Sequence, residues 1–253
     1  MRRGLLGLAA ALVAAGAHAD PAPGGWYGAI DLGAHLRQDG PTWGEVRELG
    51  AVPAAPRFHT DLAFAAYGRI GYRISPRLRL ELEAGWRSNR LLSIVDEYQS
   101  GRPPGSITAI CAPIVAGPAP HCGAPAGGLD AVSAIGNAVI DLGPRQRIDP
   151  FVGGGVGVVH VRLRTQGAFY GPSGPLSPPG SIAIDASDSR LAYQALGGVA
   201  VRINDRWSAD VTYRFLDSFS HRWKTTSFGD IRLGRISGKY EGHSLTLGLR
   251  FRL

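Results

Sequence analysis

Beyond its first nineteen residues, the sequence lacks any long hydrophobic segment. No uncharged apolar run after Ala19 reaches the roughly 18 residues that a membrane-spanning helix requires. Hydrophobic residues make up 44% of the 253-residue chain, which is too little for a bundle of membrane helices. The chain therefore either folds in an oxidising compartment after export or crosses a membrane with strands.

Cysteine is also scarce, with only Cys111 and Cys122, which lie in one segment rich in proline and glycine. In an exported protein this pair predicts one disulfide that closes a small loop. Metal binding is the weaker alternative, because His121 adjoins Cys122 but no fourth ligand stands at zinc spacing. No cysteine follows Ala19 closely enough for a lipoprotein. The sequence predicts no metal and no cofactor.

The chain has no concentrated basic patch, although its formal net charge is +7. Its arginines are mostly scattered one by one between apolar residues, as a strand would present them. Nucleic acid is therefore not a predicted partner.

The first nineteen residues differ in character from the rest. They carry positive charge at Arg2 and Arg3, an apolar stretch over residues 5–15, and a closing Ala-His-Ala sequence. This order is typical of a secretory signal peptide, whereas a membrane anchor would need a longer apolar run. We predict a signal peptide over residues 1–19 and one mature domain over residues 20–253.

Alternation of apolar with polar or small residues dominates the mature chain. In the segment 78–87, for example, Leu80 and Leu82 share one face while Glu81 and Glu83 share the other. A strand between lipid and a polar lumen needs such alternation over about 9–11 residues, whereas a helix would space its apolar residues by three or four. Eight segments follow the pattern: 26–37, 58–74, 78–87, 132–142, 151–163, 191–203, 207–215 and 244–253.

The connections between these segments alternate in length. Short turns are predicted at 75–77, 143–147 and 204–206, and long loops at about 38–57, 88–130, 165–189 and 217–241. Short periplasmic turns with long external loops are the pattern of outer-membrane barrels. The predicted fold is all-β: an eight-stranded antiparallel transmembrane β-barrel with short periplasmic turns and long extracellular loops.

Several motifs together resemble those of the small outer-membrane β-barrel family that includes the OmpA-like barrels and opacity-type porins. They are Gly25-Trp26-Tyr27-Gly28, Gly71-Tyr72-Arg73-Ile74, residues 80–86, residues 150–157, Tyr213-Arg214-Phe215-Leu216-Asp217 and residues 243–251. The resemblance implies an outer-membrane location, outer-membrane lipids as surroundings, and contact of the last strand with the barrel-assembly machinery. This chain ends in Leu253 where the family usually ends in an aromatic residue; Leu253 keeps the alternation.

The inward face of the predicted strands carries charges of both signs. These residues are Arg37, Arg69, Arg73, Arg79, Arg87, Arg214, Arg250, Arg252, Asp31, Asp61, Glu81, Glu83, Asp141 and Asp210. Eight strands leave an interior just wide enough for side chains to fill, and charges shielded from water pair with one another. We predict a polar plug of arginine–carboxylate pairs, not a wide pore.

No catalytic constellation is apparent, and the sequence predicts a protein that is not an enzyme. His243 and Ser244 are adjacent on a strand and so point to opposite faces. The glycine-rich run at 153–157 lacks the Lys-Ser/Thr of a phosphate loop. Three functions stay open: a surface barrel whose loops contact a host, phage or envelope partner, a narrow channel for small solutes, and a lipid-modifying enzyme.

Overall fold

The computed structural model describes most of the chain from Gly25 onward. The described residues are 25–38, 42–46, 52–54, 56–96, 109–111, 114–115, 121–122, 126–143, 147–171, 174–175, 181–224 and 235–253. Side chains are described for residues 25–38, 58–92, 126–143, 147–167, 184–223 and 236–253. The predicted signal peptide lies outside these residues.

Eight long antiparallel strands among the described residues form a closed barrel. They are β1 (Gly25–Arg37), β2 (Ala63–Arg73), β3 (Leu78–Asp96), β4 (Ala126–Asp141), β5 (Ile148–Gly171), β6 (Ser181–Arg202), β7 (Trp207–Ser218) and β8 (Glu241–Arg252). Each pairs with its neighbour in the chain, and β8 pairs with β1 from Tyr27↔Arg252 to Arg37↔Gly242. Closure leaves no unpaired strand edge in the membrane, so the predicted fold is confirmed.

Shorter strands lie in the connections on the extracellular side. Those within the described residues are Thr42–Val46, Val52–Ala54, Pro56–Thr60, Ala109–Cys111, Ile114–Val115, His121–Cys122, Gly174–Pro175, His221–Lys224 and Arg235–Gly238. The described part of the chain contains no helix long and apolar enough to span a membrane.

Side-chain hydrogen bonds close two of the short periplasmic turns. Ser75 Oγ accepts hydrogen bonds from the backbone N–H groups of Arg77 and Leu78. Asn204 Oδ1 does the same for Arg206 and Trp207, at 2.9 and 2.8 Å. Short polar side chains that bond the backbone two or three residues on are a common turn signal.

The alternation places an apolar surface on the outside of the barrel. The outward residues of the predicted lipid face include Leu62, Phe64, Leu80, Leu82, Val211 and Leu247, all of them exposed, while Ala63 points inward. At the periplasmic end, Trp26 contacts Tyr72 and Trp207 contacts Phe251, with ring centroids 5.1 and 4.7 Å apart. These aromatic rings suit a girdle at the membrane interface.

The segment 58–74, predicted as one strand, is divided in the structure. Pro56–Thr60 pairs with the outer part of β3, and the register of this pairing shifts just after His59. A one-residue shift exchanges the two faces of a strand. Phe58 therefore points inward and is buried, where the sequence predicted a lipid-facing side chain, and Asp61, predicted in the lumen, is exposed.

Several strands are longer than predicted, and three of them differ most. β3 continues to Asp96, β5 to Gly171, and β6 already begins at Ser181, inside the predicted loop 165–189. Above the membrane the faces exchange character: Leu163 and Ile184 point inward, while charged side chains point outward. Outward apolar residues, which mark a membrane strand in the sequence, are absent there, so the sequence does not predict these extensions.

Candidate functional site

Buried charged side chains fill the periplasmic half of the lumen. At their centre, the Asp31 carboxylate of β1 binds two guanidinium groups, Arg69 of β2 and Arg214 of β7. Arg69 Nη2 lies 2.6 Å from Asp31 Oδ1, and Arg214 Nη2 lies 2.5 Å from Asp31 Oδ2. All three side chains are at most 2% exposed. Such pairs are strong in a low-dielectric interior, where an unpaired charge is costly.

The network crosses the full width of the barrel. Arg214 Nε on β7 lies 2.8 Å from Glu83 Oε2 on β3, a strand on the opposite wall. Arg69 also reaches Asp210 of β7, at 3.0 Å, and Glu81 of β3, at 3.5 Å. These contacts close the lumen at this level with buried side chains.

A second group of pairs lies toward the periplasm. Asp141 accepts hydrogen bonds from Arg79 Nε at 2.9 Å and from Arg73 Nη1 at 2.7 Å. Arg79 also pairs with Glu81 on its own strand. Arg250 Nη2 lies 3.1 Å from Asp210 Oδ2.

Neutral and aromatic side chains complete the coordination of these charges. Tyr27 Oη donates to Glu81 at 2.6 Å, and Gln194 Nε2 donates to Glu83 at 2.9 Å. The Arg79 guanidinium lies 4.8 Å from the centroid of the Phe151 ring, within cation–π range.

Arg87 lies above the carboxylates and makes no ion pair among the described residues. It donates instead to Tyr67 Oη at 3.0 Å and to Ser133 Oγ at 2.9 Å. Its guanidinium carbon also lies 4.9 Å from the centroid of the Tyr67 ring. Arg87 therefore joins the polar layer through hydroxyl groups, whereas the sequence predicted a carboxylate partner.

Glycines on the inward face make room for this layer. A Cβ added at Gly248 would overlap the Asp31 carboxylate and lie 2.6 Å from Asp210 Oδ1. A Cβ at Gly71 would overlap the Tyr27 ring. Gly248, Tyr27 and Tyr67 all fall on the predicted inward face, but they are not among the residues predicted for the site. A bulky inward residue opposite an inward glycine was the signal that could have found them.

The extracellular half of the interior contains a large apolar cluster. Its buried residues are Phe58, Leu91, Leu129, Ala131, Ile135, Val159, Val161, Leu163, Ile184, Ala186, Ala192, Leu216, Trp223, Ile236 and Tyr240. This packing resembles the core of a soluble β protein and covers the charged layer from the outer side.

The outer surface of the extended β5–β6 hairpin is charged. Arg162 binds Asp185 through two hydrogen bonds of 3.0 and 2.9 Å, and both side chains are exposed. Arg190 Nε lies 2.8 Å from Asp188 Oδ2. A charged outer face marks this hairpin as standing in water above the lipid.

Two buried titratable groups lie on the extracellular side. His221 stands in the short strand His221–Lys224, 3.8 Å from Asp188 Oδ2, and burial lowers its pKa to about 4. Burial raises the pKa of Tyr240, whose hydroxyl lies 3.0 Å from His35 Nε2. Among the residues that the structure describes, no group of three or more histidines, cysteines, aspartates or glutamates could hold a metal ion.

The other residues considered from the sequence lie outside the charged network. Arg252 lies exposed at the periplasmic rim, outside the buried network. Ser244 points inward to His35 Nδ1 at 2.9 Å, while His243 points outward to Tyr213 Oη at 2.7 Å. The side chains of the two cysteines lie outside the described residues, and so does the predicted disulfide.

The family pattern of the outer membrane protein beta-barrel domain matches residues 5–252, nearly the whole chain. The chain belongs to this family. The protein is accordingly an outer-membrane barrel surrounded by lipid, and its location is the bacterial outer membrane. No curated protein matches this outer-membrane barrel.

Solved structures of similar shape are also outer-membrane proteins. OprG from Pseudomonas aeruginosa is 9% identical, with a TM-score of 0.54 over 90% of this barrel and 96% of that chain. Neisserial surface protein A is 14% identical, with a TM-score of 0.44 over 90% and 97%. The outer-membrane protease OmpT from Escherichia coli is 14% identical, with a TM-score of 0.47 over 92% and 98%. At these identities the likeness concerns the fold alone.

Proposed function

We propose that this barrel is a closed, non-enzymatic platform that presents its extracellular hairpins and loops to a partner on a host, a phage or the neighbouring envelope. The observation that carries the proposal is the buried ion pair between Glu83 and Arg214, which joins opposite walls of the lumen. A lumen closed in this way favours a surface role over the alternative of a narrow channel.

The height of the barrel wall supports the same role. β5 has 24 residues and β6 has 22, whereas a strand needs only about 9–11 to cross the membrane. The surplus raises a paired hairpin above the lipid. Rigid strands hold a binding surface more firmly than a mobile loop does, because less conformational entropy is lost on binding.

Planar-bilayer recording of the refolded protein tests the closed lumen. We expect no stable conductance from the wild type. The matched variant Glu83→Ala/Arg214→Ala removes both partners of the cross-lumen pair and serves as the positive control, with brief openings expected. Stable, large conductance from the wild-type monomer would replace this proposal with the channel.

Shortening the outer hairpin tests the platform. In bacteria that display the protein, residues 172–180 are replaced by a two-residue Asn-Gly turn, and adhesion to host cells, phage adsorption and envelope integrity are compared with the wild type. The proposal is supported if the shortened variant differs from the wild type in adhesion, phage adsorption or envelope integrity. Identical behaviour of both strains in all three contradicts it. We expect no lipid A deacylation or acylation by the purified protein.

The proposal includes a disulfide between Cys111 and Cys122 in the second extracellular loop. It is expected to be dispensable for the barrel, whose strands pair without it. Mass spectrometry under non-reducing conditions should find one closed loop, and two free thiols would contradict it.

A further inference from the structure

Arginines crowd the periplasmic mouth of the barrel. They lie at the periplasmic ends of the strands or in the turns beside them. These residues are Arg73, Arg147, Arg202, Arg206, Arg250 and Arg252. Together they line a cavity of about 90 Å³, in which the acidic lining residues are Asp149 and Asp205. Arg73 and Arg250 are paired with Asp141 and Asp210. The other four arginines outnumber the two lining aspartates, so the mouth carries net positive charge.

Backbone hydrogen bonds fix the arginines in adjacent pairs. The Arg252 N–H donates to the Arg206 carbonyl at 2.9 Å, and the Arg202 N–H donates to the Arg147 carbonyl at 2.9 Å. Arg252 also lies close enough to Arg73 for charge repulsion between the two. The positive charges are therefore held together by the barrel wall, and an anion between them would relieve the repulsion.

The floor of the cavity offers a buried donor. The Arg250 side chain is 10% exposed and its Nη2 binds Asp210, but its Nε is buried and has no hydrogen-bond partner. At the rim, Arg147, Arg206 and Arg252 are exposed and form no ion pair within the described part of the chain. The Arg250 guanidinium therefore reaches the floor of the cavity with its hydrogen-bonding capacity only partly used.

We infer that this mouth binds a phosphate group, held by Arg206 and Arg252 at the rim and by Arg250 at the floor. A guanidinium matches phosphate oxygens with a planar pair of donors. The tetrahedral oxygens of a phosphate accept from several directions at once, whereas a carboxylate is planar. A free phosphate or phosphomonoester also carries more than one negative charge, and a lipid phosphodiester carries one. The cavity volume suits such a group and not a polymer. The phosphate comes either from a free phosphorylated solute of the periplasm or from the headgroup of an inner-leaflet lipid.

Titration of the full-length, refolded protein with inorganic phosphate, in a neutral detergent at low salt, tests the site by calorimetry. We expect saturable binding of one phosphate for each barrel. The variant Arg206→Gln/Arg252→Gln should bind about tenfold more weakly or worse, because each lost contact is a hydrogen bond between charged groups. The matched control is Arg77→Gln, an exposed arginine at the same end of the barrel that does not line the cavity.

Two results would overturn the inference in this arm. The first is an absence of saturable binding by the wild type in neutral detergent. The second is equal weakening in the double variant and in Arg77→Gln, since that would reflect the general charge of the periplasmic end. A folded barrel in each variant is verified by its far-ultraviolet circular dichroism.

Nanodiscs distinguish the two sources. The titration is repeated in discs of zwitterionic lipid and in discs that contain phosphatidylglycerol. Unchanged phosphate affinity in both assigns the site to a free solute. If phosphate binds more weakly in the phosphatidylglycerol discs, phosphatidylglycerol is replaced by a bulkier anionic lipid that has no phosphate. Recovery of the affinity after this replacement assigns the site to the lipid headgroup. Either result supports a phosphate site.

Discussion

At the scale of single residues, the lumen depends on where side chains are absent as much as on where they are present. Gly248 stands where Asp31 and Asp210 approach each other, and Arg69 lies 3.1 Å from the position that its Cβ would take. On the lipid side, Gly68 has no heavy atom within 4 Å of that position. The two glycines occupy the same kind of strand and differ in what surrounds them.

This difference predicts unequal effects of one methyl group. Gly248→Ala should destabilise the barrel by about 1–3 kcal/mol, because the added carbon displaces packed, charged side chains. Gly68→Ala should change the free energy of unfolding by less than about 0.5 kcal/mol. Urea unfolding in lipid vesicles measures both. Equal changes in unfolding free energy at the two sites would show that the side chains around Asp31 can move aside without cost.

Arg214 allows a test of the ion-pair network itself. Arg214→Met leaves the carboxylates of Asp31 and Glu83 without this partner, which should cost about 3–5 kcal/mol of unfolding free energy. The control is Arg164→Met, whose side chain is 55% exposed, with an expected change within about 0.5 kcal/mol.

Adding Glu83→Gln to the Arg214 variant should recover part of the loss, since it removes one of the two stranded charges. Additive losses from the two substitutions would mean that Glu83 and Arg214 are not energetically coupled.

At the scale of strands, depth in the membrane determines the cost of a charge. Leu247→Arg, on the lipid face in the middle of β8, should cost about 2–4 kcal/mol. Ile203→Arg also points outward but stands at the periplasmic turn, where the cost should fall to about 0–1 kcal/mol. Refolding yield and unfolding free energy in vesicles measure the difference. Similar costs at both sites would contradict the assigned position of the lipid layer.

The short strand His221–Lys224 should respond to acid. Burial lowers the pKa of His221 to about 4, whereas an unfolded histidine has a pKa near about 6.5. The unfolded segment thus binds more protons between these two values, so stability falls as the pH drops through this window.

Hydrogen exchange of residues 221–224 at about pH 7 and about pH 5 measures this loss of stability. It should show greater opening at the lower pH, after correction for the intrinsic exchange rate. His221→Phe, which cannot titrate, should remove the difference. A pH effect that survives this substitution would assign it to another group.

How far the sequence predicts a strand depends on its surroundings. Leu80 and Leu82 face lipid, so alternation between oily and charged residues marked β3 clearly. The outer halves of β5 and β6 stand in water, where Arg162 and Asp185 face outward and Leu163 faces inward, and no lipid-facing pattern marks them. The face exchange at Phe58 follows from a register shift in pairing with β3, which is a non-local contact that no local pattern contains.

In the candidate site, too, the sequence predicts what depends on the local pattern and does not predict the contacts between strands. Alternation alone placed most of the charged residues on one face, because that requires only knowledge of the strand period. Which arginine meets which carboxylate depends on the stagger between strands and on the opposite wall, as with Arg214 and Glu83. The aromatic hydroxyls of Tyr27 and Tyr67 were missed because a tyrosine fits either face of a strand.

At the scale of the whole molecule, export should come before folding. The first nineteen residues have the composition of a signal peptide, and β1 begins at Gly25, six positions after the predicted cleavage site at Ala19. We expect N-terminal sequencing of the protein from outer-membrane fractions to begin at Asp20. Met1 at the terminus of the mature protein would contradict this.

The seam between β1 and β8 also imposes an order in time. Tyr27 is among the first barrel residues to leave the ribosome, yet its partner Arg252 is among the last. Until β8 arrives, β1 exposes an edge that invites pairing with other chains. The nascent chain therefore has to be kept apart from other chains until β8 is available. A chain truncated before β8 still pairs β1 with β2 but leaves the other edge of β1 open.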